Sequence, residues 1–155
     1  MSITWQRGDL LNDTADSLVN CVNCVGVMGA GIAAMFKLRF PSNYEAYRYR
    51  CTHAPEKLLP GEIFYHRLAD GRRIYNLATK GDFRDPSRLQ WIREGLGRLA
   101  YRVMDDGVQS IAVPALGCGR GGLAWSDVRP LIEHYLGDAM FQHVDVRVYE
   151  PMEGS

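Results

Sequence analysis

Asn20-Cys21-Val22-Asn23-Cys24-Val25-Gly26-Val27-Met28-Gly29-Ala30-Gly31-Ile32-Ala33-Ala34-Met35-Phe36-Lys37-Leu38-Arg39 reads as the end of a strand, a glycine loop and the opening of a helix. Each glycine removes a Cβ and lets backbone N–H groups turn toward one point. The helix that follows presents its own unpaired N–H groups and positive dipole end to that point. Such a loop suits an anion, most often a diphosphate. The alternative is a tight strand-to-helix turn that binds nothing.

Working outward, the stretch before the loop, Ser17 to Val22, is apolar except at Asn20, as expected of a strand covered on both faces. Ser2 to Arg7 alternates and reads as a half-buried strand. Gly8-Asp9-Leu10-Leu11 turns away from it, with Asp9 placed either to cap that turn or to face a ligand. After the loop, a helix over Gly31 to Phe40 is ended by Pro41, which opens a second helix through Cys51. The rings of Tyr44, Tyr47 and Tyr49 read as packing, since helical spacing lets at most two share a face. Ile63 to Leu68 and Arg73 to Ala78 form a hairpin around Asp70-Gly71.

Asn76-Leu77-Ala78-Thr79-Lys80-Gly81-Asp82-Phe83-Arg84 places Lys80 just past the carboxyl end of a strand. A lysine there is usually a solvated charge, but that edge of an α/β sheet is also where ligands bind. From Ser87, a plausible N-cap, a helix runs to about Asp106 with Leu89, Ile92, Leu96, Leu99 and Val103 in one stripe, and Gly107 stops it. Ser110 to Pro114 is a second buried strand feeding a second glycine loop, Ala115-Leu116-Gly117-Cys118-Gly119-Arg120-Gly121-Gly122. A helix over Trp125 to Leu136 and a strand over Val144 to Tyr149 follow, and Glu150 to Ser155 reads as a frayed tail. Strands and helices alternate along most of the chain, so the expected fold is α/β, with a mixed, mainly parallel sheet between helices.

Its 155 residues suit one domain, 1–155, with a sizeable core. The 18 basic and 18 acidic residues cancel, which argues against a general nucleic-acid coat and leaves room for a local basic patch. Cys21-x-x-Cys24 lacks the second ligand pair that zinc needs, and a glycine run intervenes where a redox motif would start its helix. No metal or cofactor is expected. Free thiols, no signal sequence and no apolar run of membrane length point to a cytoplasmic chain without a membrane partner.

Gly29-Ala30-Gly31-Ile32-Ala33-Ala34 fits the G-x-G-x-x-A form, yet a dinucleotide-binding Rossmann unit is rejected. The strand ends too many residues before Gly29, and the region that should carry a ribose-binding acid is helical around Glu45. A Walker phosphate loop is absent as well, because Gly26 and Gly31 lead into Ile32 rather than Lys. Two glycine loops after two buried strands emerge at the same sheet edge, and together they suit a ligand with an internal diphosphate.

Several segments together resemble the macrodomain family over nearly the whole chain. They are Gly8-Asp9-Leu10, Leu18 through Asn23, Met28-Gly29-Ala30-Gly31-Ile32-Ala33, and Pro114-Ala115-Leu116-Gly117-Cys118-Gly119 with Leu123 and Trp125. Met28 to Ala33 and Thr79-Lys80 look most like the branch with the DarG antitoxin and the terminal ADP-ribose protein glycohydrolase. The resemblance implies a three-layer fold, ADP-ribose binding and ADP-ribosyl hydrolysis.

By that resemblance Asp9 accepts a hydrogen bond from the adenine amino group, with the Leu10 backbone beside it and Tyr149 against the ring. Asn23 sits near the distal ribose. Gly26, Met28, Gly29, Gly31 and Ile32 in the first loop hold the diphosphate and distal ribose, with Gly117, Cys118, Gly119, Arg120, Gly121 and Gly122 in the second. Lys80 matches the catalytic lysine, an amine able to form a Schiff base at the anomeric carbon. The protein-directed enzyme of this branch carries an acid at the position of Gly121, whereas the DarG-like, thymidine-directed proteins carry glycine. The expectation is therefore removal of ADP-ribose from a nucleobase in DNA. The chain is expected to be a monomer, and the resemblance names a cognate ADP-ribosyltransferase toxin as a candidate partner. The alternatives are a protein-glutamate hydrolase, an O-acetyl-ADP-ribose deacetylase, or a non-catalytic ADP-ribose reader. Arg84, Arg88 and Arg93, interleaved with Asp82, Asp85 and Glu94, read as a small DNA-facing patch or as a solvated face.

Overall fold

The computed structural model describes residues 3–53, 55–137 and 143–151. Its strands are β1 (Ile3–Gln6), β2 (Ser17–Val22), β3 (Ile63–Arg67), β4 (Arg73–Ala78), β5 (Ser110–Val113) and β6 (Asp145–Tyr149). The helices are α1 (Gly31–Arg39), α2 (Pro41–Thr52), α3 (Leu89–Asp105) and α4 (Trp125–Leu136). The strands form one sheet in the order β1-β6-β5-β2-β4-β3. Every neighbouring pair is parallel except the β3–β4 hairpin at one edge.

Alternation along the strands divides the interior into two apolar layers. Val19, Tyr75, Leu77, Ile111, Val113, Val146 and Val148 face Ile92, Leu96, Leu99 and Val103 of α3 and Val128, Ile132 and Leu136 of α4. Leu18, Val22, Ile74, Ala78 and Ala112 face Phe36 of α1 and Tyr47 and Cys51 of α2. Helices therefore cover both faces, which parallel strands joined by crossover helices require. This is the expected three-layer α/β arrangement.

Tyr47 is fully buried and Tyr49 is 64% exposed, so the tyrosines of α2 split between packing and solvent. Gly107, at φ +65°, ends α3. Its N–H donates to Met104 O, and that of Val108 reaches back to Val103 O, which closes a Schellman turn. Among the described residues no helix is long and apolar enough to cross a membrane.

Three expectations are corrected. Helix α3 begins at Leu89 behind an Arg88 cap and not at Ser87. The Ser87 N–H instead donates to Gly121 O at 2.9 Å, so a tertiary contact outweighs its local capping tendency. Strand β5 stops at Val113, because Pro114 has no N–H to continue the ladder. Glu150 is not frayed: its N–H donates to Gln6 O at 2.8 Å, and its carboxylate pairs with Arg129 at 3.7 Å. Ser2 and residues 152–155, assigned to the first strand and to the tail, lie outside the described residues.

Candidate active site

The parallel strands end at one edge, and the loops that follow β1, β6, β5, β2 and β4 line a single cleft of about 640 Å³. The chain progresses from β2 toward one side of the sheet and from β5 toward the other, so the order reverses between these two neighbours. Such a switch point is where a crevice opens above an α/β sheet. Pairing accentuates it here: β5 is matched to β2 at Leu18↔Ala112 and then ends, while β2 runs on against β4 to Val22↔Ala78. Cys21 and Val22 are left lining the cleft opposite Pro114 and Ala115.

The loop after β2 is built around Asn23, which is 6% exposed. Its Oδ1 accepts the Tyr47 hydroxyl at 2.7 Å and the Val25 N–H at 3.1 Å, and its Nδ2 donates to Val27 O at 2.8 Å. Most of this amide is thus engaged in holding the loop, although Asn23 also lines the cleft. Gly26, at φ +85°, lies over Cys51 and Thr52, and only glycine fits that turn without strain. The N-cap of α1, Ala30, supplies no side-chain acceptor, so its first N–H groups face the cleft uncapped.

The loop after β5 is folded on itself by Cys118 N–H to Ala115 O at 3.1 Å and Leu123 N–H to Gly117 O at 3.0 Å. Gly117 is at φ +73° with Leu123 and Ile92 crowding its Cα. Behind it sits Ser87, 5% exposed, its hydroxyl without a hydrogen-bond partner among the described residues. A Cβ on Gly121 would strike the Ser87 hydroxyl and come within 2.5 Å of Gly117 O. An acidic side chain at position 121 therefore has no room in this loop.

Lys80 lines the cleft two residues past β4. The Thr79 N–H donates to Val22 O at 3.0 Å, and Gly81 O accepts the Cys24 N–H at 2.7 Å, so the segment is stitched to the first loop. Among the described residues Lys80 has no ion pair. Cys21 is close by. Desolvation pushes its thiol up to about 12; the hydrogen bond with the Gly117 backbone opposes this, with a smaller upward push from Cys118 and a smaller downward one from Lys80. It is a neutral thiol at physiological pH, and all four cysteines are free. Among the described residues no group of three His, Cys, Asp or Glu side chains is placed to hold a metal.

At the far end of the cleft, over β1 and β6, Asp9 has two jobs. Its Oδ1 caps a short 3-10 turn by accepting the Leu11 N–H at 2.9 Å, and the residue lines the cleft beside Leu10, Tyr149 and Glu150. Tyr149 is anchored by its hydroxyl, which donates to Asp13 Oδ2 at 2.6 Å. From β1 to β4 the cleft crosses four strand spacings, about 19 Å.

The structure gathers Asp9, Leu10, Asn23, Gly29, Gly31, Ile32, Lys80, Gly117, Gly119, Arg120, Gly121 and Tyr149 on this one wall. Gly26, Met28, Cys118 and Gly122 do not line it; Met28 is buried beneath Asn20, and Cys118 points its thiol at Leu116 O. Cys21, Val27, Thr79, Phe83 and Glu150 line it without having been singled out as site residues. Position one residue past a parallel strand is the signal that finds Thr79 and Glu150; Val27 and Phe83 lie five past β2 and β4, and Cys21 is inside β2.

The Macro domain family model matches residues 19–132. The chain is a macrodomain. This macrodomain is 45% identical over 154 residues to a DNA ADP-ribosyl glycohydrolase of Thermus aquaticus, a match that covers 97% of the chain and 42% of that relative. It thus spans less than half the length of the relative. Among solved structures, the macrodomain of Thermus aquaticus DarG superposes with a TM-score of 0.88 at 43% identity, covering 96% of this chain and 98% of that one. Thermosipho africanus DarTG in complex with ADP-ribose gives 0.88 at 30% identity, covering 99% of this chain and 43% of the other.

Proposed function

We propose that this macrodomain is an ADP-ribosyl hydrolase that releases ADP-ribose from a modified nucleobase in DNA, with Lys80 as the nucleophile. One observation carries the reading: Lys80, with no ion pair among the described residues, lines the cleft that the two glycine loops enclose. The order of groups along the cleft supports ADP-ribose as the ligand. Asp9 and Tyr149 suit adenine over β1 and β6, the loops after β5 and β2 offer N–H groups to a diphosphate, and Lys80 stands over β4 where the distal ribose ends. Names of relatives support both ADP-ribose and DNA as substrate. A cognate ADP-ribosyltransferase as partner belongs to the same reading, since one relative is named as a fusion of a DNA ADP-ribosyl transferase with a DNA ADP-ribosyl glycohydrolase.

The chemistry is a two-step displacement. Ring opening exposes the anomeric carbon; the Lys80 amine bonds to it, and the bond to the base breaks as the base takes a proton. Water then hydrolyses the Schiff base, freeing ADP-ribose and restoring the amine. Cys21 does not compete, since its thiol stays protonated. Gly121, closed off by Ser87, supports the nucleobase-directed reading over one that needs an acid in the second loop.

The test pairs wild type with Lys80→Ala on an ADP-ribosylated oligonucleotide and on ADP-ribosylated protein. Wild type should release ADP-ribose from the oligonucleotide, and Lys80→Ala should lose at least about a hundredfold in rate while still binding free ADP-ribose. Release by wild type from neither substrate would establish a non-catalytic reader. Full activity in Lys80→Ala would remove the lysine mechanism.

A further inference from the structure

Phe83 is a large apolar ring left half exposed, at 50%, on the wall of the cleft at its Lys80 end. A diphosphate gains nothing from a phenyl face, and in the proposed reading the adenine lies at the opposite end of the cleft, over β1 and β6. Phe83 stands three residues beyond Lys80, in a turn closed by Asp85 N–H to Asp82 O at 3.0 Å and tied to the first loop through Gly81. Asp82 grips Arg84 through two hydrogen bonds, at 2.9 and 3.0 Å, and so holds its guanidinium 5.4 Å from the centre of the Phe83 ring. The ring is thereby presented rather than left to collapse onto the protein. Val27, 37% exposed on the first loop, adds a second apolar edge to the same cleft.

We infer that Phe83 is the platform on which the departing nucleobase stacks. This rests on the reading of Lys80 as nucleophile: whatever is bonded to the anomeric carbon that the lysine attacks lies within reach of a side chain three positions on. A planar base matches an aromatic face, whereas the flexible carboxylate stem of a modified protein does not. Stacking is tolerant of base identity, so Phe83 selects for a base as a class, and Lys80 acts on what it holds.

The experiment measures affinity without turnover. In a Lys80→Ala background, binding of an oligonucleotide carrying one ADP-ribosylated thymidine is compared with binding of free ADP-ribose by fluorescence anisotropy. Adding Phe83→Ala should lower the ratio of the two affinities about tenfold, Phe83→Leu should lower it similarly, and Phe83→Trp should restore it. An unchanged ratio in Phe83→Ala overturns the platform, as does full retention in Phe83→Leu, which keeps apolar bulk but no π face. Turnover by the Lys80-intact chain is scored separately. Its absence on the oligonucleotide overturns the proposed function, while the affinity ratio still decides the role of Phe83.

Discussion

Gly121 is where the second glycine loop and the segment ahead of α3 are tightly matched. Its carbonyl accepts the Ser87 N–H, and its Cα faces both the Ser87 hydroxyl and Gly117 O. A hydroxyl can rotate aside, but the carbonyl of Gly117, 2.5 Å from an added Cβ, belongs to the same turn and cannot. Gly121→Ala should therefore shift the second loop, destabilise the fold by about 1–3 kcal/mol and weaken ADP-ribose binding with it. Gly119→Ala is the control, since a methyl there meets nothing within 4 Å; its stability should stay within about 0.5 kcal/mol of wild type. Urea denaturation of the two variants checks this, and equal losses would show that the contact with Ser87 and Gly117 is not what keeps position 121 small.

Between elements, the tie that matters most to the end of the cleft over β1 and β6 is Asp13. Buried to 3% at its side chain, it accepts from the Ala15 N–H at 2.8 Å, from Arg147 at 2.6 Å and from the Tyr149 hydroxyl, so one carboxylate joins the start of β2 to the end of β6. Burial alone would raise its pKa, but the bonds from Tyr149, Ala15 and Arg147 outweigh that and hold it below the ordinary 3.8. A carboxylate depressed on folding stabilises the protein above its unfolded value and loses that contribution as pH falls through the folded one. The stability gap between wild type and Asp13→Asn should thus be constant above about pH 5 and shrink below about pH 4. Thermal melts across that range measure it, and a gap that grows toward acid would refute the assignment. The elements joined here are legible in sequence because apolar periodicity reports them directly, as in the Leu89, Ile92, Leu96, Leu99 and Val103 stripe. Tertiary polar partners are not legible: Asn20, an odd polar residue in an apolar strand, donates to Asn76 56 positions away, and Asn76 is in turn locked to Asn43 of α2. Ser87 is hidden for the same reason, since local propensity makes it a cap and a distant loop makes it a wedge.

The whole molecule carries no excess of either charge, and its site is polarised only along the cleft, with Asp9 and Glu150 over β1 and β6 and Lys80 and Arg120 nearer β4 and β5. The arginines beyond Lys80, Arg84, Arg88 and Arg93, are interleaved with Asp82, Asp85 and Glu94, so this exposed face carries little net charge. Arg84 is held by Asp82, and Arg88 lies 5.3 Å from the ring of Trp91. A modified DNA strand would therefore be gripped through its ADP-ribose and its flipped base, with few contacts to flanking phosphates. The salt dependence reports this. For single strands the slope of log K against log salt is about −0.7 per neutralised phosphate. Lys80→Ala binding an ADP-ribosylated oligonucleotide between about 50 and 200 mM salt, corrected by the slope for free ADP-ribose, should give a residual no steeper than about −1.5, or roughly two phosphates. A residual near −4 would require an extended cationic face on this macrodomain. Recognition would then begin with the strand and reach the adduct second, whereas a shallow slope has the adduct itself select the strand.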